Sequence, residues 1–455
     1  MLHIAACRWN EGLNTAYRDG SKPMNFNRFL VTPSVIATMT VMWIAKSQSV
    51  AAAGFLLASL FSHTVALRLL FLSLAVILAL ILVLAEAKHR RTVLRYVPPA
   101  TPAFLLWALW CGASIFWSLE PDRADKEFRN EIIYAGLAYW SCFIAGQYSG
   151  LSRKSFVVVI LSMSWVLLCV LSVKAVFTHN PHLGWHGGPG MHSSVLLVVM
   201  PCFLVWQTLH FLGYSNERDK QFNRVVSCML VSGVVSAVAI DSRTVWIGFI
   251  LQGLLWIALV TVWRKQNLNL RPISNQRSFS RLISVMVGAL FVALFIAYQR
   301  RDGLEGIVSD GRLSLWQEAL RYIAEQAWLG YGFGRGSVRP ALEGAFTVGQ
   351  MHAHNLFLEV ALQTGIIGLG LFLLLLGSLV HRLVQYLRQK DVSLYVLGMV
   401  GCLIILGMLI RNMTDMLWVR AAALTFWGVL GVVFGLAARH EADNIVNGKT
   451  ADELS

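Results

Sequence analysis

Apolar runs of about twenty residues recur along this chain from Phe29 to Leu436, and no other feature restricts the fold as strongly. A helix of that length crosses the ~30 Å of hydrocarbon in a bilayer. Inside hydrocarbon the backbone must satisfy its own hydrogen bonds, so each run has to be helical. The composition agrees. Of 455 residues, 56% are hydrophobic and only 14% are charged, where a soluble domain carries about 25% charged residues. Candidate spans fall at 29–45, 50–66, 67–86, 101–118, 130–148, 155–177, 193–213, 224–240, 244–263, 281–299, 355–380, 391–411 and 419–438. Residues 50–86, interrupted mainly by His63 and Arg68, read as two spans or as one span plus a half-inserted helix. A cytoplasmic N-terminus bearing Arg8, Arg18, Lys22 and Arg28 favours about 12 spans in total. The expected fold is therefore all-α: a polar cytoplasmic stretch over 1–28, one transmembrane domain over 29–438, and a short, polar, disordered cytoplasmic tail over 439–455. The first apolar run starts too far into the chain to read as a cleaved signal peptide.

Lysine and arginine set the orientation, because basic residues collect in cytoplasmic loops. The segment Lys88 to Arg95, the loop with Arg218, Lys220 and Arg224, the stretch Arg264 to Arg281 and the stretch Arg382 to Lys390 read as cytoplasmic. The same bias accounts for the net charge of +14; with no aromatic-plus-basic module present, nucleic-acid binding is not expected. Alternation then places 119–129, 178–192, the Asp241-Ser242-Arg243 turn, the long loop 300–354 and the turn 412–418 outside.

The long loop runs against the charge rule. It carries Arg300, Arg301, Arg312, Arg321, Arg335 and Arg339 and no lysine. Local pairing with Asp302, Glu305, Asp310, Glu318, Glu325 and Glu343 is the structural explanation. The functional one is an anionic ligand, since a guanidinium grips phosphate oxygens bidentately. Leu313, Trp316, Leu320, Ile323 and Ala327 recur at helical spacing, which predicts an amphipathic helix from Arg312 to Gln326 lying over the helix ends. The stretch Gly330-Tyr-Gly-Phe-Gly-Arg-Gly336 follows as a tight turn.

Several polar residues stand where a cation or imidazole is costly unless used. Arg243 lies between two spans with almost no connector; snorkelling or a pair with Asp241 is the alternative to a binding role. Arg312 opens the loop helix beside Asp310. His352 and His354 stand at the mouth of the next span, where a neutral imidazole can take a proton from a hydroxyl near neutral pH. Glu359 follows on the same span, five residues from His354 and so not cleanly on its face. Arg411 and Asp415 flank the last external turn, with mutual pairing the simple reading. No Asp-x-Asp or external carboxylate cluster suited to a divalent cation is present. Cys111, Cys142, Cys169, Cys202, Cys228 and Cys402 fall in apolar spans without metal-ligand or disulfide spacing. No metal and no cofactor is expected.

His354-Asn355, nine residues, then Gly365-Ile-Ile-Gly368 resembles the motif of the O-antigen ligase family, which shares a core with O-antigen polymerases and bacterial protein O-oligosaccharyltransferases. Ser242-Arg243, Gly311-Arg312 with Trp316, Gly330-x-Gly332 and Phe116-Trp-Ser-Leu-Glu-Pro121 agree in order, over roughly 101–437. The 178–192 segment, rich in His and Gly, departs from the family's Asn/Pro-type turn. The resemblance implies a GT-C-like glycosyltransferase of about twelve helices with a large periplasmic loop, in the bacterial inner membrane. It implies metal-independent transfer of a glycan from undecaprenyl pyrophosphate to a sugar hydroxyl of lipid A-core; direct attack by that hydroxyl would invert the anomeric centre. By matching position, Arg243 and Arg312 would bind the donor pyrophosphate and His354 would activate or orient the acceptor; His352, Arg335, Glu359 and Asp415 are possible supports. O-antigen polymerase is the nearest alternative. Protein O-glycosylation is weaker, no extracytoplasmic domain following the His354 region. A membrane transporter is the reading from another class, disfavoured because the polar residues gather at one face and no pair of broken helices is evident.

Overall fold

The computed structural model describes residues 33–59, 64–87, 97–148, 188–211, 226–228, 230, 233, 243–266, 312–335, 338, 353–413 and 420–452. Among these residues every regular element is a helix. In chain order they are α1 (Pro33–Ala58), α2 (Val65–Ala87), α3 (Thr101–Ala113), α4 (Pro121–Phe128), α5 (Tyr134–Tyr148), α6 (Gly188–Phe211), α7 (Arg243–Gln266), α8 (Arg312–Glu325), α9 (Leu356–Leu387), α10 (Val392–Asn412) and α11 (Arg420–Asp452). A 3-10 turn, Ser114–Trp117, extends α3, and a π turn, Arg129–Ile133, joins α4 to α5. Among the described residues, six helices are long and apolar enough to cross a membrane: α1, α2, α7, α9, α10 and α11. The chain is a multi-pass membrane protein.

The core forms around α11, which is buried along nearly its whole apolar length. Its partner is α5, and glycines set their separation: a Cβ at Gly435 would overlap the Phe143 carbonyl, and one at Gly146 would lie 2.6 Å from the Val432 carbonyl. In lipid no hydrophobic force draws helices together, so close backbone approach supplies the packing energy. Trp427 of α11 fills the space beyond, with edge contacts to Phe104 and Tyr139. Polar links cross the same layer. Gln48 of α1 donates to the Ser141 carbonyl at 2.8 Å, and Gln252 of α7 donates to the carbonyls of Leu197 and Leu403 at 2.8 and 2.7 Å.

Several boundaries differ from the sequence reading. The candidates at 29–45, 50–66 and 67–86 become two helices, because α1 runs unbroken from Pro33 to Ala58. Helix α6 begins at Gly188 and takes up the end of the expected 178–192 connection. The tail expected to be disordered continues α11 as helix to Asp452. It is docked: Arg382 forks onto both Glu441 oxygens at 3.0 Å, and His440 meets Asp391 at 2.8 Å. Spans expected at 155–177, 224–240 and 281–299, and residues 1–28, lie largely or wholly outside the described residues.

Candidate functional site

Residues 119–129, 330–335, 353–355 and Met413 converge at one end of the helix bundle. The link to the last is direct, the Asn355 side chain donating to the Met413 carbonyl at 3.2 Å. Phe128 meets Phe333 ring to ring at 6.0 Å. The register of α7 places Arg243 at the same end. As many residues separate Gln252 from Arg243 as separate Leu403 from Asn412, and Gln252 bonds the Leu403 carbonyl. With α7 and α10 antiparallel, the equal rise brings Arg243 level with Asn412.

Asn355 caps α9. Its Oδ1 accepts the N–H groups of Phe357 and Leu358 at 3.0 and 3.2 Å, the arrangement that satisfies free donors at a helix start. His354 precedes it with φ of 49°, a left-handed conformation that costs a non-glycine residue about 1–3 kcal/mol and persists only where surroundings enforce it. The enforcement falls on Ala353. Its N–H donates to Glu359 Oε2 at 2.9 Å, and its carbonyl accepts the Trp316 indole N–H at 3.0 Å. Trp316 lies one helical turn after Arg312 on α8, so the helix that Arg312 opens is pinned to the residue before His354.

The Gly365-x-x-Gly368 pattern has a physical cause. At Gly365 the chain takes φ 68° and breaks the helical path of α9. The opened turn frees backbone groups that need partners, and each finds one outside the helix. Leu362 and Gln363 carbonyls accept the N–H groups of Tyr331 and Gly332 at 2.8 and 2.9 Å, and the Ile366 N–H donates to the Ala327 carbonyl at 2.8 Å. The Thr364 carbonyl accepts the Trp110 indole at 2.9 Å. A Cβ at Gly365 would overlap the Trp328 carbonyl, and one at Gly368 would overlap the Thr364 hydroxyl. The same junction explains the Phe116-Trp-Ser segment. Trp117 donates to the Leu329 carbonyl at 3.2 Å, Ser114 accepts the Phe333 N–H at 3.1 Å, and Gly332 is packed on Ser118.

Other expectations need correction. On α8 the buried face is Leu315, Ala319 and part of Tyr322 and Ile323, while Leu313 and Leu320 are exposed; Trp316 serves through its N–H rather than as core. Arg321 pairs with Glu318, which raises its pKa further, so local pairing holds for that arginine. Burial raises the Tyr331 pKa, and Glu325, which accepts its hydroxyl at 3.4 Å, adds to the effect. Arg335 is half-buried directly after Gly334. The helix-face argument set Glu359 apart from His354, yet the cap turn reverses the chain and brings the neighbouring Ala353 N–H onto Glu359. Helix α9 is broken at Gly365, where it receives the 327–332 backbone. For Arg243 and Arg312 the described positions are the first residues of α7 and α8. His352 and Asp415 lie outside the described residues. Gln363 went unread in the sequence; its signal was a second polar residue one turn after Glu359 in an apolar span. Arg411 is buried near this end, two residues before Met413.

Residues 228–373 match the sequence profile of the family described as O-antigen ligase. The segment contains Arg243, α8, the glycine turn, His354 and the Gly365 break. Over 217 residues the chain is also 25% identical to a ComP-specific O-oligosaccharyltransferase of Acinetobacter baylyi, a match covering 46% of this chain and 37% of that relative. The all-helical, multi-pass architecture fits the polytopic plan of the O-antigen ligase family.

Proposed function

We propose that the protein is an O-antigen ligase that moves a glycan from undecaprenyl pyrophosphate to a sugar hydroxyl of lipid A-core, at the periplasmic face of the bacterial inner membrane. One observation carries the reading: inside the O-antigen ligase match, His354 is held in a strained turn by the helix that Arg312 opens. In this mechanism the acceptor hydroxyl oxygen attacks the anomeric carbon of the donor glycan. The bond from that carbon to the pyrophosphate oxygen breaks, and the lipid pyrophosphate leaves with the electron pair. His354 accepts or orients the hydroxyl proton. Arg243 and Arg312 grip the pyrophosphate as its charge grows, and one such preorganised donor contributes about 3 kcal/mol. Each stands at a helix N-terminus, where the helix dipole favours an anion. Direct attack inverts the anomeric centre; a product retaining the donor's configuration removes that step.

The test is a deletion strain complemented with wild type, Arg243→Ala, Arg312→Ala or His354→Ala, its lipopolysaccharide resolved on a gel. Wild type alone restores the full ladder, and each variant leaves bare core with accumulated lipid-linked polymer. Core bearing a single repeat unit in the deletion strain makes the protein a polymerase instead. The second reading, transfer to a protein, is favoured by the similarity to the Acinetobacter baylyi enzyme. Under that reading the ladder is intact in the deletion strain and a glycoprotein disappears.

A further inference from the structure

A buried carboxylate and a buried carboxamide on α9 join the two halves of the site. Glu359 is 0% exposed and Gln363 3%. From the His354 turn inward, the Ala353 N–H donates to Glu359 Oε2 at 2.9 Å. Gln363 Nε2 donates to Glu359 Oε1 at 3.0 Å. The Gly334 N–H donates to Gln363 Oε1 at 2.9 Å. Ala353 is the residue before His354, and Gly334 is the residue before Arg335.

We infer that Glu359 and Gln363 are positioning residues, a three-bond relay that sets the spacing between the His354 turn and the Arg335 segment. For its effect on rate the inference rests on the glycan-transfer reading. The chemistry of the pair is specific. Both ends of the relay meet backbone N–H donors, so both ends must be acceptors, and the link between them needs one donor. A carboxylate offers only acceptors, whereas a carboxamide offers an acceptor and two N–H donors. One of each satisfies all three bonds. Two carboxamides set NH2 against NH2 or leave a backbone donor facing NH2; two ionised carboxylates set oxygen against oxygen and relieve it only by taking up a proton. Exchanging the two residues reverses the middle bond and satisfies everything again: Gln at 359 accepts from Ala353 and donates to Glu at 363, which accepts from Gly334. The order of the pair is therefore interchangeable, but its composition is not. Because the relay ends on the residues preceding His354 and Arg335, its failure moves those groups apart without emptying the core.

The experiment uses the full chain in lipid nanodiscs, with Glu359→Gln, Gln363→Glu and the double exchange. Amide hydrogen exchange is read on peptides covering Ala353 and Gly334, and transfer kinetics are run with a lipid pyrophosphate glycan. Each single variant is expected to exchange at both amides at least tenfold faster and to lose at least tenfold in kcat, with the donor KM changed less than threefold. The double exchange returns both readouts to within threefold of wild type. If the single variants fail to accumulate, accumulation and activity of the double exchange support the relay, and its failure as well overturns it. Unchanged exchange in the single variants overturns it, as does a double exchange as impaired as either. Exchange that follows the relay while kcat stays at wild type overturns the positioning role. Should the wild-type protein transfer no glycan, the exchange arm still decides the relay, and the function reading falls by itself.

Discussion

His354 occupies a backbone conformation that its own side chain disfavours, and its neighbours hold it there through Ala353, Trp316, Glu359 and the Asn355 cap. Strain maintained in this way serves a site rather than stability. Two substitutions separate the contributions. His354→Ala keeps the strain and loses the imidazole. His354→Gly loses the imidazole and relieves the strain, because glycine enters the left-handed region freely. Both variants are expected to lose transfer. In thermal melts the Gly variant should be at least as stable as wild type and more stable than the Ala variant by about 1 kcal/mol. A Gly variant that melts well below the Ala variant contradicts the strained turn. The sequence showed the His-Asn pair and the motif, and the apolar surroundings of Glu359 were plain. The bond between Glu359 and the Ala353 N–H was not legible, because a helix-face argument does not apply to a residue outside the helix.

At the scale of elements, the site depends on one broken helix. The opened turn at Gly365 receives Tyr331, Gly332 and Trp110, and so seats the glycine turn between α3 and α9. Gly365→Ala must place a Cβ onto the Trp328 carbonyl and hold alanine in the left-handed region. The backbone alone costs about 1–2 kcal/mol, so this variant is expected to melt lower and to lose transfer, although Gly365 touches no reacting atom. Wild-type melting for Gly365→Ala would refute the break. Hydrophobic periodicity located most described spans and the start of α8, since lipid requires apolar helices. It grouped Leu313, Trp316 and Leu320 as one apolar face of α8, whereas tertiary packing buries Leu315 and Ala319 and leaves Leu313 and Leu320 exposed.

For the whole molecule, the site lies at one end of the bundle and an ionic clasp closes the other. There Asp391 caps α10 through the N–H groups of Ser393 and Leu394 and meets His440 of α11, while Arg382 holds Glu441. Burial opposes ionisation of Asp391, but the bonds from His440 and the two backbone N–H groups prevail and hold its carboxyl below the usual aspartate pKa. A lowered carboxylate pKa contributes stability above the unfolded value, and that contribution is lost as pH falls through the folded one. Asp391→Asn keeps the cap and removes the charge. It is expected to cost less than about 1 kcal/mol at neutral pH, and the difference in melting temperature should close as pH falls through the lowered pKa of Asp391. A difference that persists or widens in acid contradicts the clasp. The helical course of the tail to Asp452 escaped the sequence reading because its polarity matched that of a solvated segment, and only the tertiary pairs show what it docks against.

The central claim is that His354, with the helices opened by Arg243 and Arg312, transfers a glycan from a lipid pyrophosphate. The most direct measurement uses purified full-length protein in nanodiscs, an undecaprenyl pyrophosphate glycan and lipid A-core, with product followed by mass spectrometry. Wild type is expected to form glycosylated core, His354→Ala to lose at least a hundredfold in rate, and Arg243→Ala or Arg312→Ala to lose at least tenfold. Product formation by His354→Ala at the wild-type rate, or none by wild type with either lipid A-core or a protein acceptor, would contradict the account.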